Sequence, residues 1–143
     1  MLLAAGEAAR RVIAGTTATT ALMRARRVAQ LAVAADSVAV ANRAMAMATD
    51  WAGQRAQFGV PIGSFQAVSH RCADMVVAAE SGRNQVLSAA DRDPDGPDAT
   101  LAADVATAAA LRAAVRASDG CIQVLGDRAV SAVFERLSAT GAQ

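Results

Sequence analysis

Apolar residues recur along this chain at three- and four-residue steps in three long runs, separated by two short stretches rich in turn formers. That spacing is the signature of helices that bury one face. The first run predicts a helix from about Ala21 to Gln54, with Val28, Leu31, Ala35, Val38, Met45 and Ala52 on one face. Val33, Val40 and Met47 fall on another face, and a helix apolar on more than one side is usually covered on more than one side. A second subunit, a further domain or a tightly packed core of this chain could each supply that cover. The second run predicts a helix from Ser64 to about Asp91, with Ser64 as N-cap and Phe65, Val68, Cys72, Met75 and Ala79 inward. The third, capped by Asp98 or Thr100, carries Leu101, Val105, Ala108, Val115, Ile122 and Leu125 at core-like steps.

Between the first two runs, Gly59, Pro61 and Gly63 cannot all continue a helix, so the chain stops near Phe58 and turns back. Between the second and third, Asp91-Arg-Asp-Pro-Asp-Gly-Pro-Asp98 reads as a solvated loop, and its prolines break calcium-loop spacing. A shorter helix from Arg128 to Leu137 is expected to follow. The expected fold is therefore all-α: an up-and-down helical bundle of three long helices plus a short C-terminal helix. The bundle occupies residues 21–143, after a partly irregular lead-in segment over residues 1–20 that contains Gly6, Gly15 and a cluster of threonines.

Composition supports the helical reading: alanine alone fills more than a quarter of the 143 residues, aromatics make up 3%, and tyrosine is absent. All 14 basic residues are arginine, and the net charge of +1 gives no case for nucleic acid or an anionic membrane as partner. No eighteen-residue stretch is both apolar and free of charge, and Glu7, Arg10 and Arg11 interrupt any leader, so the expectation is a cytoplasmic protein that spans no membrane. Cys72 and Cys121 fit no metal-ligand spacing and read as reduced core thiols. The single histidine, His70, excludes multi-histidine metal sites and reads as a surface or interface residue.

The corner itself carries the chemistry. Arg55 and Gln66 flank it, one with five fixed donors suited to a phosphate, the other with an amide that both donates and accepts. Taken alone, Arg55 answers a helix C-terminal dipole and Gln66 is a first-turn polar residue. The run Arg-x-x-Phe-Gly-x-Pro-Ile-x-x-Phe-Gln-Ala-x-x-His-Arg-x-Ala-Asp-Met from Arg55 to Met75 resembles, in order and spacing, the helix-turn-helix of the C-terminal domain of FAD-dependent acyl-CoA dehydrogenases. The register extends back to about Val28 and forward to Gly126. The resemblance implies α,β-dehydrogenation of an acyl-CoA thioester, in which a glutamate removes the α-proton and the flavin takes the β-hydride. It implies that Arg55 and Gln66 contact FAD held mainly by a neighbouring subunit.

A second landmark is Gln123-Val124-Leu125-Gly126-Asp127, where the family typically carries Gln-x-x-Gly-Gly-x-Gly near the flavin. Here Asp127 and Ala129 replace the second and third glycines, which sets a carboxylate beside a pyrophosphate and a Cβ in a close approach. No catalytic residue and no metal ligand is assigned. One family position for the base falls on Ala29, which has no proton acceptor, and the other falls beyond Gln143; Glu135 reads as a surface residue. The expectation is a partner-dependent or truncated acyl-CoA dehydrogenase subunit, working as a homo-oligomer or with a larger acyl-CoA dehydrogenase chain, and meeting acyl-CoA only in that assembly. The alternative is a non-catalytic helical assembly module without flavin.

Overall fold

In the computed structural model, which describes residues 16–126, alanine decides how close the helices come. Helix α1 (Thr16–Gln54) is followed by a two-stranded antiparallel hairpin, β1 (Ala56–Gln57) and β2 (Val60–Pro61), and a 3-10 turn (Ile62–Ser64). Helix α2 (Gln66–Ala90) runs back, and α3 (Ala99–Leu125) runs forward again after the loop. The result is the all-α, up-down-up arrangement that the three runs predict. The short helix expected at Arg128–Leu137, and most of the lead-in segment, lie outside the described residues.

The buried row on α1 is Ala34, Val38, Ala41, Ala48 and Ala52; on α3 it is Ala99, Ala103, Ala106, Ala110, Ala113, Ala117 and Val124. On α2 Met75, Ala79, Gly82 and Ala89 are buried. Every row advances by alternating four- and three-residue steps or their sum, which is the spacing of knobs-into-holes packing. Small side chains at these positions let backbones approach. A Cβ added to Gly82 would lie 3.1 Å from the Ala113 methyl and 3.4 Å from the Ala110 Cα.

The inward face of α3 is therefore not the one predicted. Leu101, Val105, Val115 and Ile122 are all exposed, and the alanine row on the opposite side packs inward. On α1, Val28 is also exposed, together with Val33, Val40 and Met47. Periodicity was the same for both faces, so it identified a helix without choosing its inner side. On α2, Phe65 of the expected inner row is more than a third exposed, whereas Met75 and Ala79 are buried.

Two boundaries differ as well. Helix α1 begins at Thr16, because threonine costs only a few tenths of a kcal/mol in a helix and adding turns to an existing helix is cheap. It ends at Gln54, as the first run predicts, and gives way to the hairpin. Ser64 is not the N-cap of α2: its hydroxyl donates to the Pro61 carbonyl at 2.7 Å and closes the 3-10 turn, while Phe65 takes the cap position with no side-chain bond. Asp98 does occupy the N-cap position of α3, also without a side-chain bond.

By length and hydropathy, part of α1 could cross a bilayer, but its alanine row packs against α3 as a bundle helix does. At one pole the helix start holds the α2–α3 loop. Arg24 forms a two-bond pair with Asp95, and Arg27 donates to the carbonyls of Ala89 and Arg92 at 2.8 and 2.9 Å. The opposite pole carries the corner and the end of α3.

Candidate functional site

At that second pole an open cleft of about 500 Å³ lies between the hairpin, the start of α2 and the end of α3. It joins the two sequence motifs. Arg55 reaches it from the end of α1, while Gln123, Val124, Leu125 and Gly126 reach it from α3, some seventy residues later in the chain. The hairpin makes this possible. Its turn residues Phe58 and Gly59 both have positive φ, +54° and +81°, the signature of a tight type I′ reversal. Glycine adopts that conformation freely; a phenylalanine held there stores strain of about 1–2 kcal/mol. The Phe58 ring is exposed and meets the Phe65 ring edge to face, with centroids 6.2 Å apart.

Arg55 is half-buried, its guanidinium over the Trp51 ring at 5.6 Å from the centroid. Its carbonyl accepts from the Ile62 amide at 2.8 Å, which ties the end of α1 to the 3-10 turn. Gly126, with φ +54°, ends α3 and presents backbone to the cleft, and a Cβ built there would meet nothing within 4 Å. Gln66 is the first residue of α2, exposed on the corner, and does not line the cleft. Asp127 and Ala129 lie outside the described residues.

Sequence reasoning missed three lining residues. Phe58 and Phe65 give the cleft an aromatic wall. Arg71, one helical turn after Ala67 on the same face of α2, lines it as well. That four-residue step was the available signal. The described lining thus has two guanidiniums, two amides and no carboxylate, set among apolar and aromatic side chains. Such a site suits an anion with a flat ring system attached, and its size falls within the roughly 300–1,000 Å³ of small-molecule sites.

Among the described residues no proton-transfer group lines the cleft. The two thiols lie deeper in the core. Burial pushes the Cys72 thiol up, against a lowering hydrogen bond with Thr49, and burial with the neighbouring Cys72 does the same for Cys121. Both therefore stay protonated and unreactive at neutral pH. Among the described residues no cluster of histidine, cysteine or carboxylate groups is suited to a metal ion.

The family model for the acyl-CoA dehydrogenase C-terminal domain matches residues 13–139. The chain is 40% identical over 123 residues to acyl-CoA dehydrogenase FadE34 of Mycobacterium tuberculosis, covering 82% of this chain and 17% of that protein. It is 35% identical over 97 residues to the short-chain specific acyl-CoA dehydrogenase of Megasphaera elsdenii, covering 68% of this chain and 25% of that one. The solved structure of butyryl-CoA dehydrogenase from Megasphaera elsdenii superposes with a TM-score of 0.68 at 32% identity, over 78% of this chain and 28% of that one. The chain spans about a quarter or less of the length of the two curated relatives.

Proposed function

Because the chain belongs to the acyl-CoA dehydrogenase family as its C-terminal domain, we propose that it forms one wall of an FAD site in an assembly that dehydrogenates acyl-CoA thioesters. The observation that carries this is the shared cleft. Arg55 and the Gln123–Gly126 turn, far apart in sequence, face one cavity whose described lining has an aromatic wall and no carboxylate. Those groups fit the adenosine diphosphate half of FAD. The guanidinium would hold phosphate, the Gln123 amide would hydrogen-bond phosphate or ribose, and the Phe58 and Phe65 rings would bound the adenine. The open backbone at Gly126 leaves room for close approach. Gln66, at the neighbouring corner, would complete the contact from the rim. Asp127, next in the chain, would oppose it by charge.

FAD, when bound, accepts the hydride from the β-carbon of the acyl chain. The residues described here bind and orient; they do not move the α-proton. Ala29, on α1, offers only a methyl group, so that family position supplies no base. The base and the rest of the flavin and thioester pocket would come from a larger acyl-CoA dehydrogenase chain. The apolar outer face of α1 and α3 favours such an assembly.

That same outer face supports a second reading, a helical assembly module that holds no flavin. Titration with FAD, followed by quenching of flavin fluorescence, separates the two. Saturable binding weakened by Arg55→Ala supports the flavin wall; no binding by the chain, either alone or with an acyl-CoA dehydrogenase partner, leaves the assembly module.

A further inference from the structure

Arg55 is not the only cation in its cleft. Among the described lining residues Arg71 is the other charged group, and it arrives from a different element, the second turn of α2. Neither arginine takes part in an ion pair among the described residues. The pairs there are Arg24–Asp95, Arg26–Asp104 and Arg83–Glu80, all elsewhere. Among the described residues, neither guanidinium spends a donor on an ion pair.

The stem of Arg71 also has a built seat. Its Cγ lies 3.7 Å from the point where a Cβ on Gly120 would stand, and the Met75 sulfur lies 2.6 Å from the same point. A side chain at position 120 would displace Met75, whereas the Arg71 stem stands at ordinary van der Waals distance; Arg71 passes over this surface of α3 on its way to the cleft edge. Arg71 borders a second cleft as well, between α2 and α3, where Asp74 and Asp119 stand with Arg112 and Arg116. There both signs are present, and neither aspartate pairs with Arg71. The cleft shared with Arg55 is the one whose described lining is cationic only.

We propose that Arg71 is a second phosphate-binding residue of this cleft, taking one phosphate of a nucleoside diphosphate while Arg55 takes the other. Two guanidiniums on opposite elements match two linked phosphates; a monophosphate can use only one of them at full strength. This assignment rests on the flavin-wall reading, because the diphosphate in question is that of FAD.

The test uses the full chain with ADP as the probe for that half of FAD, and AMP as its one-phosphate control. In ¹⁵N-labelled protein the arginine Nε–Hε resonances are followed through each titration, assigned by Arg55→Lys, Arg71→Lys and Arg112→Lys. The expected result is that ADP shifts the Arg55 and Arg71 signals together and leaves Arg112 still. Arg71→Gln should weaken ADP by about tenfold, as loss of one charge-assisted hydrogen bond implies, with a smaller effect on AMP. Movement of Arg55 alone overturns the role of Arg71 and leaves the flavin wall standing. Equal weakening of ADP and AMP overturns the diphosphate assignment. If neither arginine responds, both readings fall.

Discussion

Gly82 on α2 and Ala113 on α3 meet so closely that a methyl group on the glycine would stand 3.1 Å from the alanine's own. The bundle is built on such contacts. Its core gains little apolar area per side chain, since alanine offers only one methyl, and gains instead from backbone packed against backbone. Enlarging a seam position therefore has no free space to use. Gly82→Val should destabilise the chain by about 1–3 kcal/mol through overpacking. Val115→Thr, on the exposed face of α3, should stay within about 0.5 kcal/mol. Urea unfolding of both variants is the measurement, and comparable losses at the two sites would contradict the inward alanine face.

The outer apolar row predicts self-association. Leu101, Val105, Val115 and Ile122 are between 45% and 69% exposed and follow one side of α3, so a monomer leaves these large apolar side chains in water on a face they share with Arg112 and Asp119. Sedimentation at micromolar concentrations should show species larger than one chain. The double variant Leu101→Glu, Val115→Glu should move the distribution toward monomer while leaving the helical circular dichroism intact. A wild-type chain that sediments as a monomer at high micromolar concentration would count against an interface here.

At the cleft proposed to take FAD, Arg55→Ala should weaken FAD binding by roughly 1.5–3 kcal/mol, the range for a hydrogen bond to a charged group. Asp127→Gly should tighten it, because a repelling carboxylate and a blocking Cβ leave together. FAD titration in the presence of the partner reads both, and unchanged affinity in each would mean that the motif serves packing.

The opposite pole gives a pH signature. Hydrogen bonding from Arg24 holds the Asp95 carboxyl below its usual value, reinforced by the charges of Arg24 and Arg27. The native state thus binds that proton more weakly than the unfolded chain does. Its contribution is complete above the unfolded carboxylate value near pH 4 and is lost as pH falls through that value toward the lower native one. Asp95→Asn should lower the melting temperature slightly at pH 7, and the gap to wild type should narrow steadily as pH falls below the unfolded carboxylate value. A gap that stays constant as pH falls would show that the loop is held by something other than this charge.

Three helices, their order, the reversal after Trp51 and the two motifs that meet in the cleft were legible in the sequence. Apolar spacing, glycine and proline positions and the Arg55–Met75 run are local properties, and local physics fixes them. The inner side of each helix was not legible in this way. On α3 the row from Leu101 to Ile122 and the row from Ala99 to Val124 are both apolar at helical steps, and nothing within one helix ranks them. The choice belongs to the packed bundle, where only alanine and glycine allow the helices to close together. The same holds for the site. Arg55 announced itself by motif, but Arg71 joins it only because the hairpin, the start of α2 and the end of α3 converge on one cleft, and that relation exists only in three dimensions.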